Sequence, residues 1–290
     1  MAATLVLALM IAGCGSSSKS TTNTSTSAQS ATAPTTLALS ISEAGDASKF
    51  AGPASIAGRV VTVRLTNNGR SPHGAQLVRI LGGHTIEQAL KTLGSQSHKT
   101  PAWLRAEGGV GVALPGSSAS ATVILPAGHY AVIDFAGAEE SKGGPPAFAP
   151  LTVTAGRAGA LPSTGTTITA ANPSKDHYKW QISGPLKVGA NAVTFVSKGS
   201  SALHELNAVR ITGNESTAQI VKALESNGPP PSYVDPASKD KTAVLDGGRS
   251  LTTQLTLSKP GRYVFFCHLT DRDGGKPHFA EGLITTVTVQ

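Results

Sequence analysis

The residues best suited to chemistry lie near the C-terminal end of the chain. Cys267 follows an apolar run, Tyr263 to Phe266, and His278 follows a polar loop, Asp271 to Pro277. The pattern predicts a strand, a loop and a closing strand from Ile284 to Val289. A thiolate together with an imidazole favours copper or zinc over magnesium or calcium. Cys267 and His278 are therefore candidate ligands of a soft metal ion.

The other cysteine, Cys14, belongs to a different kind of segment. Residues 1–14 form a short apolar run, and its ending Ile-Ala-Gly-Cys resembles the lipobox of bacterial lipoproteins. The run is too short to span a bilayer and is typical of a signal segment. The resemblance implies cleavage before Cys14 and lipidation of its thiol, which would anchor an exported protein in the cell envelope. Residues 15–36, rich in Ser and Thr, would be a flexible tether.

Lipidation of Cys14 would leave Cys267 without a partner for an intrachain disulfide, because the chain has only two cysteines. An unpaired thiol in an exported protein is exposed to oxidation, and metal ligation is one reason to keep it. The alternative is a buried cysteine that behaves as a small apolar residue.

Composition favours an all-β protein with two domains. The chain has 290 residues, 14% of them charged, with 32 glycines and 18 prolines, and helix-period stretches are scarce. The length is typical of two domains of ordinary size. The net charge of +7 is typical of a protein near anionic membrane surfaces or acidic partners. Lys and Arg are scattered and do not alternate with aromatic residues, so nucleic-acid binding is not expected.

The chain contains an internal duplication. Residues 37–155 (the first half) and 166–290 (the second half) are joined by a linker at 156–165. Each half has a β run, a histidine, a second β run and a short capped helix, in the same order. The pairs at one constant offset are His73 with His204, Val78-Arg79-Ile80 with Val209-Arg210-Ile211, Thr85 with Ser216, Gln88 with Gln219, and Leu93 with Leu224. The sequence therefore predicts two tandem β-sandwich domains, each with an inserted helix.

The duplication also indicates which half could bind a metal. After a two-residue slip, Asp134 of the first half lies opposite Cys267 of the second. The segment Pro146-Ala147-Phe148 of the first half is matched with Pro277-His278-Phe279 of the second. The first half therefore keeps a histidine, His73, but lacks the other two candidate ligands, and we expect it to be a degenerate copy.

The Cys…His…Gly layout near the C-terminus, with a distant histidine after an earlier strand, resembles the cupredoxins, the small blue-copper proteins. The resemblance implies Greek-key β-sandwiches with one type 1 copper in the second half and no copper ligands in the first. It implies His204, Cys267 and His278 as ligands, with Leu283 at the axial position. The family normally has methionine there, but both methionines of this chain lie within residues 1–14. Loss of a weak axial donor favours Cu(I), which predicts a comparatively high reduction potential.

The histidines near the proposed site also have structural interpretations that involve no metal. His204 could be a surface turn residue, since its counterpart His73 is present without a site. His278 follows a proline in a polar loop and could simply be solvated. His268 lies next to Cys267, so on a strand it points to the opposite face and is expected to be structural or exposed.

The leading hypothesis is an exported, membrane-tethered copper protein that exchanges electrons with a redox partner. Alternatives are a protein that sequesters Cu(I) or delivers it between a copper donor and acceptor, and a pair of metal-free binding modules. An enzyme is not expected, because related multicopper oxidases and two-domain nitrite reductases need further histidines, typically in His-x-His pairs, which this sequence lacks. A Cys267–His268 nucleophile is disfavoured, since adjacent strand residues face opposite ways.

Overall fold

Strands are the main secondary structure of the described part of the chain, as the composition predicts. The computed structural model describes residues 33–45, 47–95, 99–136, 146–174, 176–226 and 228–290. The strands of the first half are β1 Thr35–Ala44, β2 Ala47–Ala51, β3 Ser55–Ala57, β4 Arg59–Asn67, β5 His73–Ile80, β6 Leu104–Ala113, β7 Ser118–Leu125, β8 Gly128–Ile133 and β9 Phe148–Thr154. Those of the second half are β10 Thr166–Ser174, β11 His177–Ser183, β12 Gly189–Ser197, β13 Leu203–His204, β14 Asn207–Ile211, β15 Val234–Lys241, β16 Leu245–Asp246, β17 Ser250–Leu257, β18 Gly261–Phe266 and β19 Ile284–Val289. The all-β prediction is confirmed.

The two halves share one sheet. Its eight strands are ordered β11-β10-β12-β17-β7-β4-β1-β2, so four strands of the second half join four of the first. The junction is an antiparallel pairing of β17 with β7, with Ala121 opposite Thr253 and Thr122 opposite Thr252. The strand order on one side of this junction is the reverse of the order on the other. The sequence did not predict the shared sheet, and the division into domains 37–155 and 166–290 stays a prediction.

Two further sheets complete the described β structure. A seven-stranded sheet has the order β13-β16-β6-β5-β8-β9-β3, and a four-stranded sheet has the order β15-β14-β18-β19. The larger one again contains strands of both halves, because β16 pairs with β6 at Leu245 and Glu107. The smaller one belongs wholly to the second half. Its strands β18 and β19 flank the segment that carries Cys267 and His278.

Alternating apolar residues explain why these segments form strands with one buried face. In β4 the side chains of Val61, Val63 and Leu65 are fully buried, and the residues between them are more exposed. A period of two places side chains on the same face of a strand. Residues of both halves form one continuous apolar core, which includes Cys267 and Leu283. Each large apolar side chain buried there contributes roughly 1.5–3 kcal/mol.

Two short helices, one in each half, lie between strands in the part of the chain that the structure describes. They are α1 Ile86–Leu93 and α2 Thr217–Glu225. Thr85 and Ser216 cap them, and each forms the predicted capping box with the glutamine three residues later. The sequence-based helix predictions are therefore confirmed to within a residue. Among the helices that the structure describes, none has the length and apolarity needed to cross a membrane.

Buried ion pairs join the two halves and hold the loop at 271–277. Arg272 in that loop pairs with Asp246 of the second half and donates to backbone carbonyls of the first half. Nearby, Arg249 of the second half lies 3.0 Å from the carboxylate of Glu107 in the first. The five donors of a guanidinium suit such multiple contacts. The first half therefore helps to fix the loop that connects the two C-terminal candidate ligands.

Candidate metal centre

Three buried side chains from separate segments converge in the second half. His204 ends β13, Cys267 directly follows β18, and His278 lies in the turns before β19. All three are 0% exposed, and their ligand atoms lie within 4.8 Å of one another. The structure thus brings the three sequence-predicted residues together. Neither histidine is solvated, so the surface interpretations of His204 and His278 do not hold.

Backbone hydrogen bonds fold the segment after Cys267 back over it. The N–H of Cys267 donates to the carbonyl of Leu283 at 3.2 Å, and the N–H of Phe279 donates to the carbonyl of Cys267 at 3.0 Å. The N–H of His278 donates to Leu269 at 2.8 Å, and its carbonyl accepts from Leu283 at 2.7 Å. These four bonds fix Cys267 and His278 relative to each other.

The surroundings of His204 select one tautomer and leave one nitrogen unpaired. Nε2 lies 3.2 Å from the carbonyl oxygen of Lys198, which only accepts, so Nε2 carries the hydrogen. Nδ1 is buried and has no hydrogen-bond partner. Leaving a buried acceptor unpaired costs about 1–3 kcal/mol, and coordination of a cation would remove that cost. This unpaired nitrogen shows that the residues present fit a metal ion.

The imidazole of His278 has one nitrogen on each side. Its Nδ1 lies 3.7 Å from the Sγ of Cys267, on the side of the cluster. Its Nε2 lies 3.4 Å from the Oδ1 of Asp271, at ion-pair distance but without a well-aligned hydrogen bond. Nδ1 is therefore the nitrogen available to a metal shared with Cys267.

Burial keeps the three candidate ligands uncharged. It lowers the pKa of His204 to about 3, with a smaller contribution from the charge of His278. It lowers the pKa of His278 to about 4, so both imidazoles are neutral at pH 7. Burial also raises the pKa of the Cys267 thiol, although the N–H of Glu205, 3.5 Å from Sγ, acts in the opposite direction. A metal bound as thiolate must displace the thiol proton.

Leu283 and His268 complete the neighbourhood of Cys267. Leu283 is fully buried in the same core as Cys267, and its side chain offers no donor atom. His268 is exposed, and its ring packs edge-on against Phe266 and Phe279 at 4.9 and 5.2 Å between centroids. The structure thus places His268 outside the cluster.

Tyr178 in β11 also contacts the cluster, and the sequence analysis missed it. Its ring lies 4.1 Å from that of His278 and 5.4 Å from that of His204, between centroids. Its hydroxyl donates to Asp271 at 2.8 Å. Tyr178 is distant in sequence from these residues and belongs to no motif, so no spacing signal could have revealed it.

At the equivalent position in the first half, a histidine is hydrogen-bonded to two carboxylates. Nδ1 of His73 lies 2.6 Å from the carboxylate of Asp134, and Nε2 lies 3.0 Å from that of Glu43. Asp134 also accepts from the N–H of Gly74 at 2.7 Å. A bond from the N–H of Ser71, with a smaller contribution from His73, lowers the pKa of Glu43 to about 2. Both nitrogens of His73 face carboxylates, so neither is available to a metal.

Strand pairing corrects one part of the sequence comparison between the halves. Phe148 begins β9 and Ile284 begins β19, and the two residues occupy equivalent positions in their ladders. The residue before each, Ala147 or Leu283, accepts a hydrogen bond from the N–H that follows β8 or β18. Ala147 is therefore the counterpart of Leu283 and not of His278. A Pro-x-Phe match of three residues was too short to fix the register.

Several solved structures are similar to this chain. Auracyanin A, a "blue" copper protein from Chloroflexus aurantiacus, is 23% identical, covering 41% of this chain and 99% of that chain with a TM-score of 0.28. The multicopper oxidase mgLAC is 16% identical, covering 89% and 87%, with a TM-score of 0.26. A copper-containing nitrite reductase from Thermus scotoductus SA-01 is 13% identical, covering 88% and 61%, with a TM-score of 0.25. The observed strands show an all-β fold, to which these copper-protein structures are similar. No family model and no curated protein sequence matches the chain.

The comparison corrects one expectation. The absence of His-x-His pairs suggested that the chain is not an enzyme, but the similar structures include multicopper oxidases and a copper-containing nitrite reductase, so the exclusion of enzymes is contradicted. A missing short motif is a weak ground for excluding activity, since function depends on a site and not on one spacing pattern.

Proposed function

We propose that the second half binds one copper ion in a type 1 site and uses it for electron transfer. His204 and His278 would each contribute Nδ1, Cys267 would contribute Sγ, and Leu283 would occupy the axial position. One thiolate and two imidazoles are the donor set of blue-copper centres. The observation that carries the proposal is the buried, unpaired Nδ1 of His204, on a residue that offers a ligand atom within 4.8 Å of those of Cys267 and His278.

Bound copper would supply a one-electron redox couple. Residues around the site position the ligands and exclude water. The carbonyl of Lys198 holds the hydrogen of His204 on Nε2, which keeps Nδ1 free for coordination. The N–H of Glu205 points at the sulfur of Cys267 and supports a thiolate. The apolar core around Cys267 and Leu283 excludes water. A site already assembled by packing and hydrogen bonds needs little rearrangement between two oxidation states.

The proposal is tested by titrating the purified chain from residue 33 onwards with Cu(II) and recording its visible spectrum. We expect one copper per chain and an intense thiolate-to-copper band. Cys267→Ala is expected to abolish the band. A wild-type protein that never develops the band would contradict a type 1 site.

Tight Cu(I) binding without redox activity is the second candidate function, and the complete burial of all three ligands favours it. Electron transfer requires repeated reduction and reoxidation of the bound copper, whereas sequestration does not. If reduction and reoxidation by one-electron reagents bleach and restore the band over many cycles, electron transfer is supported. A colourless protein that retains one Cu(I) against a chelator supports sequestration or delivery to a copper acceptor. Oxygen uptake in the same samples reports whether the electron reaches O₂.

We also propose that the protein is exported and tethered to the cell envelope by a lipid on Cys14, where the net charge of +7 would favour an anionic surface. Cys14 lies outside the described residues. Metabolic labelling with an alkyne fatty acid is expected to tag the wild type and not Cys14→Ser. Labelling that survives the substitution would contradict the anchor.

A further inference from the structure

Tyr178 has three separate attachments to the segment that carries His278. Its ring is stacked on the His278 imidazole, with an interplanar angle of 29°. Its N–H donates to the carbonyl of Glu281 at 3.0 Å. Its hydroxyl donates to Oδ1 of Asp271 at 2.8 Å. Tyr178 is only 4% exposed, so these contacts lie largely out of water.

The same carboxylate oxygen also faces the imidazole. Oδ1 of Asp271 lies 3.4 Å from Nε2 of His278, on the side away from Cys267. The Asp271 side chain is 27% exposed, whereas that of His278 is 0% exposed. A negative charge is thus held beside a fully buried ring, where Coulomb interactions are screened less than in bulk water.

If copper binds at the site proposed above, the contacts of Tyr178 and Asp271 with His278 affect its properties. We propose that Tyr178 and Asp271 form a positioning pair for His278, in which the tyrosine hydroxyl holds the carboxylate beside Nε2–H and the carboxylate lowers the reduction potential of the copper. A carboxylate beside the outer nitrogen of a ligating imidazole fixes its tautomer and raises its basicity. A more basic ligand and a nearby negative charge both stabilise Cu(II) relative to Cu(I). The pair therefore opposes the effect of the apolar Leu283.

A purely structural role for Tyr178 would involve other contacts and other measurable effects. A buried tyrosine needs a partner for its hydroxyl, and any acceptor would serve. Here the acceptor is a carboxylate that itself lies within ion-pair distance of a candidate metal ligand. Loss of a structural contact would change stability alone, whereas loss of a positioning pair also changes the potential and the His278 tautomer.

The electrochemical test uses copper-loaded protein with Asp271→Asn and, as the matched control, Asp273→Asn. Asp273 is an exposed carboxylate in the same loop. Asp271→Asn is expected to lower the ratio of Cu(II) to Cu(I) affinity about tenfold, which raises a one-electron potential by about 59 mV. Tyr178→Phe keeps the stacked ring but loses the hydroxyl, and should shift the potential in the same direction by less. An unchanged or lower potential in Asp271→Asn overturns the proposal.

A second measurement needs no copper. Nitrogen NMR of ¹⁵N-histidine-labelled, metal-free protein is expected to show the hydrogen of His278 on Nε2, and Asp271→Asn should increase the population with the hydrogen on Nδ1. A wild type with the hydrogen mainly on Nδ1 overturns the pairing. If the wild type binds no copper, the proposed function fails and the potential shift falls with it. The NMR result still decides whether Asp271 orients His278.

Discussion

The two halves place a buried histidine at equivalent positions but satisfy it in different ways. In the second half, His204 is neutral, has one unpaired nitrogen and lies near Cys267 and His278. In the first half, both nitrogens of His73 face carboxylates. A buried polar group is costly unless something completes it. In the first half, two carboxylates pair with the nitrogens of the histidine. In the second half, one nitrogen is left without a partner, in a place that suits a cation.

The largest effect that tests this difference between the halves is expected from replacing each histidine in turn. His204→Ala is expected to weaken copper binding by about 100-fold or more, since even the loss of outer-shell partners costs 10–100-fold. His73→Ala should leave the stoichiometry at one copper per chain. Equilibrium titration against a chelator measures both. Equal losses of affinity in the two variants would refute the assignment of the site to the second half.

The next largest effect is expected in the stability of the first half. Asp134→Ala removes the partner of both His73 and the N–H of Gly74. Leaving a buried hydrogen-bonding group without its partner costs about 1–3 kcal/mol for each group, measured as the free energy of unfolding in urea. The control Asp273→Ala, at an exposed position, should stay within about 0.5 kcal/mol of wild type. A similarly small effect for Asp134→Ala would contradict the structural importance of the network.

Methionine placed at Leu283, and separately at its counterpart Ala147, tests whether Leu283 occupies the axial position. Leu283→Met would supply the missing thioether and lower the reduction potential, on the order of 60 mV for a tenfold change in relative Cu(II) affinity. Ala147→Met, at the equivalent place in the first half, should leave the potential unchanged. Cyclic voltammetry of the copper-loaded variants gives the answer. A potential that rises in Leu283→Met would argue against an axial position for this residue.

The smallest expected effect is a difference in acid sensitivity. The pKa of Glu43 is lowered to about 2, chiefly by the N–H of Ser71. A carboxylate whose pKa falls on folding stabilises the native state above its unfolded pKa, and that contribution is lost as the pH falls from about 4.5 towards 2. Glu43→Gln should therefore flatten the pH dependence of the urea midpoint in this window. An unchanged profile would show that Glu43 contributes little.

The sequence allowed prediction of features that depend on local pattern or on a repeated order. Alternating apolar residues predicted the strands, capping boxes predicted both helices, and the duplication led from Cys267 and His278 to His204. Tyr178 was missed because its contacts depend on how β11 packs against the C-terminal segment. The shared sheet was missed because the edge pairing of β7 with β17 requires no special sequence. The counterpart of His278 was misassigned because register depends on the hydrogen-bond ladder.

The junction of β7 with β17 has an implication for the origin of the chain. Ala121 of one half pairs antiparallel with Thr253 of the other, and the strands beyond them follow in reversed order. Equivalent strands that pair antiparallel are what two identical subunits form across a two-fold axis, in an isologous interface. A single ancestral copy could have formed a homodimer through this strand edge. A later gene fusion would have joined the two copies through residues 156–165. Fusion would then have made this contact between strand edges permanent within one chain.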